Sequence, residues 1–464
     1  MAVSPLVAFD AHMARSDEVL VALTTGAMAV LWWCWKDGRG LDRRKRLPWP
    51  RTTLLWLLIG LGMLAKGPIT PMVVLLTALV LAAWTREWRW LLRLRPFTGL
   101  PIALIVFAPW VLLAGLSVGF DRLATIAYDE VIVRSASGRE SHGAPPGYHL
   151  VLMVALLWPG TLLTGIAFGR SWRRARALGE PATSFLGRLW AVVAHPALGR
   201  VADAYCLAWL IPGWIVFELA ATKLPHYPLP LYPAIALISA RAVLAGTRSL
   251  PQTLTGGARA GFVLWYVIGL GIVLLPVILL ALAGQGGDLA APPPGSPRML
   301  GTPWWLLGLL GIGTLFGVVL LSIGLGRALR GRLLEAQLLA MPAAALALGL
   351  SFGVALPAAW PVWITPRVTH HLEQGGALDD VTPIAAIGYQ EDSLVHATNG
   401  RLQPIGAKRL MGWLEENPAG WVVVPTETLP EALSGRVRGE VSGFNYSNGN
   451  WFDLAVVQGA ADAD

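Results

Sequence analysis

The chain has 464 residues, of which 55% are hydrophobic and 14% are charged, whereas a soluble domain carries about 25% charged residues. This composition excludes an ordinary soluble enzyme. The net charge of +8 does not indicate nucleic-acid binding, because the basic residues lie in short clusters between apolar runs. Cys34 and Cys206 both lie inside apolar runs and support no disulfide framework.

The apolar runs predict a membrane protein that crosses the bilayer about ten times. A helix needs about 20 apolar residues to cross a hydrocarbon core about 30 Å thick. The second and third runs are short, and Lys66-Gly67-Pro68 separates them, which predicts a tight helical hairpin. The ten predicted spans lie at about 17–35, 52–66, 69–84, 98–117, 149–168, 203–221, 229–246, 259–284, 303–326 and 336–360.

The distribution of Lys and Arg predicts the orientation of these spans. Short cytoplasmic loops are enriched in both residues. Of the 36 Lys and Arg residues, 23 lie in one alternate set of loops, and the C-terminal region holds six of the others. We therefore expect the first set in the cytoplasm, and both the N-terminus and the C-terminal domain outside. Residues 1–16 would then begin outside with no helix before them, so we expect an earlier membrane segment to be absent from this sequence.

The composition changes after Trp360. Residues 361–464 mix polar and apolar residues, with β-like runs at 421–424 and 454–457 and a helical stretch at about 405–416. Residues 442–449 resemble a strand that runs into a turn. The pattern predicts two domains, a transmembrane domain at 1–360 and a small soluble α/β domain at 361–464.

Two short polar segments stand at predicted outer ends of the early spans. Asp17 and Glu18 could serve as a general base or bind a metal ion, or they could form an acidic helix N-cap. Lys66, followed by Gly67 and Pro68, could bind a lipid phosphate, or it could extend to the interface as an isolated lysine.

A third polar segment is the predicted external loop 118–148. Its length suits a segment that lies on the membrane surface over a cavity, although a solvated loop would carry the same charges. His142 beside Glu140 could ligate a metal ion. The ionisable residues of this loop include Asp121, Asp129, Glu130, Arg134, Glu140, His142 and Tyr148.

The fourth polar segment, 222–233, carries four prolines between two long spans. The prolines favour an extended turn. Lys223, His226 and Tyr227 could then point towards one anionic group, or the segment could be a rigid external turn with an interfacial tyrosine.

The order of these segments resembles the glycosyltransferase family 39 membrane enzymes, which include protein O-mannosyltransferases and aminoarabinose–lipid A transferases. The matching motifs are Ala-Arg-Ser-Asp at 14–17, Leu-Ala-Lys-Gly-Pro at 64–68, Glu-Ser-His-Gly-Ala-Pro-Pro at 140–146 and Thr-Lys-Leu-Pro-His-Tyr-Pro-Leu-Pro at 222–230. The similarity covers most of residues 10–246. In the C-terminal domain, Tyr389, residues 393–395 and residues 444–447 are similar to the outer domain of bacterial members.

The resemblance implies an all-α, GT-C-like transmembrane bundle with a small extracytoplasmic α/β domain. It implies sugar transfer from a polyprenyl-phosphate donor to lipid A, another envelope glycan or a protein hydroxyl. Transfer would take place at the outer face of the bacterial inner membrane, with an external carboxylate as base and the C-terminal domain in the periplasm. The expected partners are the donor, the acceptor and membrane lipids, and no nucleic acid.

The residue patterns and the resemblance together suggest roles for single residues. The expected catalytic carboxylates are Asp17, Glu18 and Glu130. His142 resembles a metal-linked histidine of the family, so the resemblance implies a divalent metal ion as the possible cofactor. The expected contacts to the donor phosphate or sugar are Lys66, Arg134, Lys223, His226 and Tyr227.

The sequence departs from the family at its N-terminal end. Family members have further helices before this chain's first span, and their first large external loop carries the main catalytic aspartate. Asp10 lies too near the start to be a persuasive substitute, so we expect an N-terminally shortened member whose activity is open. The alternative functions are a transporter or flippase for lipid-linked sugars and a non-catalytic membrane scaffold.

Overall fold

A computed structural model describes residues 1–13, 15–38, 47–133, 144–175, 201–246, 256–284, 304–446 and 448–459. The first part of the chain is helical. Its helices are α1 (Pro5–Ala11), α2 (Asp17–Gly38), α3 (Trp49–Lys66), α4 (Ile69–Thr85), α5 (Arg89–Arg93), α6 (Pro96–Val118), α7 (Phe120–Tyr128), α8 (Tyr148–Leu156), α9 (Thr161–Ala175), α10 (Val201–Leu219), α11 (Tyr232–Gly246), α12 (Gly256–Gly284), α13 (Trp304–Leu329) and α14 (Leu333–Leu350).

The chain divides into two compact units. One consists of Met1–Ile272 with Val319–Ala344, and the other of Val273–Val318 with Ala345–Asp464. The limits between the units fall inside the long helices α12, α13 and α14, so each of these helices has residues in both units. The predicted domain boundary at residue 360 stays a prediction.

The predicted apolar runs are helical over most of their described lengths. Among the described residues, six helices are long and apolar enough to cross a membrane. They are Asp17–Gly38, Pro96–Val118, Val201–Leu219, Gly256–Leu282, Trp305–Leu329 and Leu333–Ala358. Helices α3 and α4 are shorter and form the predicted hairpin. A multi-pass membrane bundle is confirmed, and the total of ten spans stays a prediction.

The predicted span 149–168 is divided into α8 and α9. Residues 157–160 interrupt it at Pro159, whose missing N–H and ring disfavour a continuous helix. Trp158 is fully buried there and donates its indole N–H to the Trp265 carbonyl at 3.2 Å, while Trp265 donates to the Pro159 carbonyl at 3.0 Å. This reciprocal pair ties the break to α12.

A buried polar contact joins α9, α10 and α11. Asp203 is 1% exposed, and it accepts hydrogen bonds from the Ser171 hydroxyl at 2.9 Å and from Arg241 at 3.1 Å. Burying a carboxylate costs free energy because it loses its contacts with water, and hydrogen-bond partners such as these offset that loss. These contacts fix the packing of the three helices at their shared end.

The C-terminal part of the chain is a small α/β domain, as predicted. Its sheet has the order β2-β1-β3-β5-β4, in which β1 runs parallel to β2 and β3, and β5 runs antiparallel to β3 and β4. The elements are α15 (Ile364–Gln374), β1 (Ile384–Ala386), α16 (Asp392–Ala397), β2 (Leu402–Pro404), α17 (Leu410–Glu416), β3 (Trp421–Pro425), β4 (Val437–Asn445) and β5 (Asn450–Gln458).

The central strands of the sheet are buried on both faces. Trp421 and Val423 pack in a cluster with α15, while Val422 and Val424 pack in a cluster with α17. Alternate residues of a strand point to opposite faces, so a strand that is covered on both sides is apolar throughout. This explains why the run 421–424 indicated a strand in the sequence.

Candidate functional site

Two of the predicted site residues form an ion pair where two helix ends meet. Asp17 is the first residue of α2, and Lys66 is the last residue of α3. Lys66 Nζ donates a hydrogen bond to Asp17 Oδ1. The Asp17 side chain is 6% exposed and the Lys66 side chain is 34% exposed. The lysine therefore stays accessible while its partner is buried.

The hairpin between α3 and α4 positions Lys66. Gly67 ends α3 with a φ of 53°, a conformation that strains residues with a side chain. A Cβ at Gly62 would overlap the side chain of Thr70, so glycine allows α4 to approach α3 closely. Thr70 is also hydrogen-bonded at 2.7 Å to Thr24, and both side chains are buried. These contacts join α3 and α4 to the first turns of α2.

Asp10, which was not among the predicted site residues, interacts electrostatically with both members of this pair. Its side chain is 1% exposed and neither carboxylate oxygen has a hydrogen-bond partner. Arg15 Nη1 lies 3.9 Å from Asp10 Oδ1. Burial raises the pKa of Asp10, the Asp17 charge raises it further, and Arg15 and Lys66 oppose both effects. The result is a buried carboxylate that holds its proton more strongly than an ordinary aspartate.

His226 contributes an uncharged imidazole within electrostatic range of the same groups. It is 8% exposed, and burial lowers its pKa to about 4. That value also includes the effects of Asp17, which raises the pKa of His226, and of Lys66 and Arg15, which lower it. His226 is therefore neutral at pH 7 and can donate or accept one hydrogen bond without adding charge.

Lys223 and Tyr227 lie on the same Pro-rich segment as His226. Lys223 is 4% exposed and donates to the carbonyl of Ala220 at 2.6 Å. Tyr227 packs edge-on against His226, with ring centroids 5.4 Å apart, and lies 6.5 Å from the ring of His149. The segment thus carries Lys223 as a buried cation bound to the backbone.

Glu218 and His149 support this segment. The Glu218 carboxylate accepts the backbone N–H groups of Gly147 at 2.9 Å and Leu150 at 3.2 Å, and so caps the start of α8. His149 Nδ1 lies 3.8 Å from Glu218, and His149 Nε2 lies 3.1 Å from the Leu224 carbonyl. The first turn of α8 is therefore joined to α10 and to the Pro-rich segment.

The remaining predicted residues are placed differently. Glu18 lies in the first turn of α2, and its Oε1 atom is buried without a hydrogen-bond partner. Glu130 is exposed and lies on the short helical segment Asp129–Val133. Arg134 and His142 lie outside the described residues. Within the described ranges, no group of three or more His, Cys, Asp or Glu side chains is arranged to hold a metal ion.

Sequence reasoning missed Asp10, His149 and Glu218 as members of the site. Glu218 had a usable signal, because a lone carboxylate inside an apolar run near a membrane needs a partner. Asp10 had a weaker signal, since its proximity to Asp17 depends on how α1 folds back towards α2. His149 begins an apolar run and gave no separate indication.

The arrangement can hold an anionic group near a buried base. Lys66 and Arg15 provide cations, and Asp10, Asp17 and Glu18 provide carboxylates at the same helix ends. Fixed cations at a partly dry site stabilise the negative charge of a leaving phosphate. A carboxylate with a raised pKa is a stronger base, once ionised, than an ordinary one.

Comparisons with known proteins identify relatives that match about half of the chain. No family model matches the sequence. The undecaprenyl phosphate-alpha-4-amino-4-deoxy-L-arabinose arabinosyl transferase 2 of Pseudomonas fluorescens is 28% identical over 239 residues, which cover 51% of this chain and 38% of the relative. The corresponding transferase of Pseudomonas paraeruginosa is 26% identical over 277 residues, which cover 60% of this chain and 44% of the relative. The matches thus span less than half the length of these relatives.

Two solved structures share the fold over almost the whole chain. The crystal structure of ArnT from Cupriavidus metallidurans bound to undecaprenyl phosphate has a TM-score of 0.63 at 16% identity, and covers 99% of this chain and 77% of ArnT. The apo structure of the same protein has a TM-score of 0.58 at 15% identity, and covers 98% of this chain and 76% of ArnT. The likeness confirms the GT-C fold.

Proposed function

We propose that this chain, a homologue of the aminoarabinose transferases with the fold of ArnT, transfers a sugar from a polyprenyl-phosphate donor to a lipid acceptor. Transfer would occur at the outer face of the bacterial inner membrane, with the C-terminal domain in the periplasm. Lipid A is the acceptor that the family resemblance favours, and a glycan or protein hydroxyl is the alternative. The observation that carries the proposal is the Asp17–Lys66 pair, set among buried ionisable groups.

The donor phosphate would bind at Lys66 and Arg15. Lys66 is accessible enough for a phosphate oxygen to replace or join Asp17 as its partner. The side chain of Arg15 lies beside Asp10 and is 43% exposed, so it too can turn towards an anion. Arg134 would add a third cation to the leaving phosphate, and Lys223 would bind it after release from the Ala220 carbonyl.

The reaction needs one carboxylate to accept a proton. The acceptor hydroxyl would transfer its proton to the base while its oxygen bonds to the anomeric carbon. The bond from that carbon to the phosphate oxygen would break, and the polyprenyl phosphate would leave with the electron pair. Inversion follows because the nucleophile enters opposite the leaving group.

Asp10 is the strongest of the candidate bases. Asp17 already accepts a hydrogen bond from Lys66, which occupies one of its carboxylate oxygens. Asp10 has no hydrogen-bond partner and its pKa is raised. Glu18 stands next to Asp17 as a second choice, and Glu130 is the third candidate. Neutral His226 and Tyr227 would contact the sugar hydroxyls.

A divalent metal ion at His142 is a separate proposal. Chelation followed by addition of single metal ions would test it, with transfer as the measurement. Transfer that is unchanged after complete chelation would rule out a metal requirement.

The first experiment measures transfer in membranes with a radiolabelled polyprenyl-phosphate sugar. Lys66→Met should reduce transfer about 100-fold or more, because it removes a cation from the leaving phosphate. Lys36→Met is the matched control, since Lys36 is also in the last turn of a helix and is exposed. Lys66→Arg keeps the charge and should restore part of the activity. Lys223→Ala should also reduce transfer.

Two outcomes would contradict the proposal. Unchanged transfer in both Lys66→Met and Lys223→Ala would reject the site. Uptake of the lipid-linked sugar into proteoliposomes without covalent transfer would indicate a transporter. Thermal melting of each variant separates a lost contact from a lost fold, because breaking the pair leaves Asp17 buried without its cation.

A further inference from the structure

The C-terminal domain contains a cavity that the proposed transfer site does not use. It has a volume of about 370 Å³, within the range of roughly 300–1,000 Å³ that small-molecule pockets occupy. Its walls come from the start of α15, the segment after β1, the start of α16 and the end of β4. Ligands of α/β domains commonly bind outside the carboxyl ends of the strands, and β1 and β4 both end at this cavity.

The polar groups of the cavity are organised by hydrogen bonds. The Thr365 hydroxyl lies 2.8 Å from the Tyr389 hydroxyl and 2.8 Å from the Ser393 hydroxyl. The Asn445 amide donates to Glu391 Oε1 at 2.6 Å. Burial raises the pKa of Tyr389 to about 12, so its hydroxyl keeps its proton at neutral pH. The cavity therefore presents hydroxyls and a fixed carboxylate in a defined arrangement.

The cavity is also lined by aromatic side chains and by one acidic side chain. Trp363 and Tyr446 line it together with Tyr389, and Tyr446 is 56% exposed at its edge. Glu391 is the acidic residue of the lining, and none of the lining residues is Lys or Arg. The cavity therefore disfavours an anionic ligand. Aromatic faces with hydroxyl, amide and carboxylate groups suit a compact ring that has both apolar C–H faces and hydroxyl groups.

We propose that this cavity binds one carbohydrate ring that is neutral or carries an amine. Tyr446 would cover one face of the ring, Glu391 and Asn445 would bond to hydroxyls at one edge, and an amine would pair with Glu391. The inference does not depend on the transferase function, because the lining residues all belong to the C-terminal domain.

Saturation-transfer NMR on the full chain in nanodiscs tests the proposal, with glucose, glucosamine and glucuronate as probes. Glucose and glucosamine should receive saturation, and glucuronate should receive about tenfold less because Glu391 repels it. Tyr446→Ala should weaken both signals about tenfold, since it removes the stacking face. Glu391→Gln keeps an acceptor for Asn445 and should remove the preference for glucosamine over glucose. Lys66→Met in the transmembrane part should leave all these signals unchanged.

Matched controls lie elsewhere in the same domain. Trp451→Ala removes an aromatic side chain that is 53% exposed and outside the cavity, and Glu427→Gln removes a carboxylate outside it. Both should bind like the unaltered protein. Equal saturation of glucuronate and glucose, or full binding by Tyr446→Ala, would overturn the proposal. So would loss of the signal in Lys66→Met, which would place the sugar in the transfer site.

Discussion

Asp10 is a side chain that can destabilise the folded protein and also serve as the base of the proposed reaction. Its carboxylate is buried, has no hydrogen-bond partner and lies near Asp17. Such a group destabilises the folded protein when it is ionised. Residues with this combination occur often at functional sites, where the perturbed pKa serves the reaction.

The pH dependence of transfer tests Asp10 as the base. Its raised pKa means that transfer should fall as the pH drops through a value above 3.8, the ordinary value for aspartate. Asp10→Asn should lower the rate roughly 100-fold and abolish that acidic limb. Asp37→Asn is the control, because Asp37 is half-exposed and paired with Arg51 at the far end of α2. If the Asp10→Asn variant shows the same fall in transfer at acidic pH, another carboxylate is the base.

The stability of the same variant gives a second measurement. The folded protein binds the Asp10 proton more tightly than the unfolded chain, so the cost of the ionised group is largest above the raised pKa and fades as the pH falls. Asp10→Asn should therefore raise the melting temperature at neutral pH, and the gain should shrink towards acidic pH. A gain that is independent of pH would contradict the raised pKa.

At the scale of helices, the sequence predicted the hairpin but not the break at Pro159. Lys66-Gly67-Pro68 gave a local signal, because Gly67 needs a positive φ and Pro68 can precede the next helix. The break lies inside an apolar run, and mean hydropathy does not respond to one proline. The Trp158 and Trp265 bonds that stabilise it join residues more than 100 positions apart. The proximity of Asp10 to Asp17 likewise depends on tertiary packing.

The cap of α8 can be tested by changing Glu218. Glu218→Gln leaves one acceptor oxygen where two N–H groups are bound, and removes a negative charge from a helix N-terminus. The variant should lose about 1–2 kcal/mol of local stability. Hydrogen exchange of residues 147–151 should then be about tenfold faster. Glu335→Gln is the control, because Glu335 pairs with Arg327 at 2.8 Å but is 46% exposed, and exposed pairs add little. Unchanged exchange in Glu218→Gln would show that the cap is dispensable.

For the whole molecule, composition predicted the membrane bundle and the α/β domain, because apolar length and strand pattern are local properties of the chain. The sidedness of the bundle rests on the distribution of Lys and Arg alone. The proposed transfer site needs Asp17 and Lys66 at the outer face, since the base and the cations must meet a donor and an acceptor there. The predicted topology places the C-terminal domain on the same side of the membrane as Asp17 and Lys66. The proposal therefore requires that this domain lie outside the cytoplasm.

Thiol labelling tests this orientation directly. Cys34 and Cys206 are 0% and 5% exposed, so the native cysteines should react slowly and leave a low background. Ser434→Cys introduces an exposed thiol in the C-terminal domain, and Arg330→Cys introduces one in the loop between α13 and α14. A membrane-impermeant maleimide applied to spheroplasts should label Ser434→Cys at once, and Arg330→Cys only after permeabilisation. With the ten predicted spans, the reverse pattern would place the Lys66 end of α3 in the cytoplasm, and a site there would not face a periplasmic acceptor.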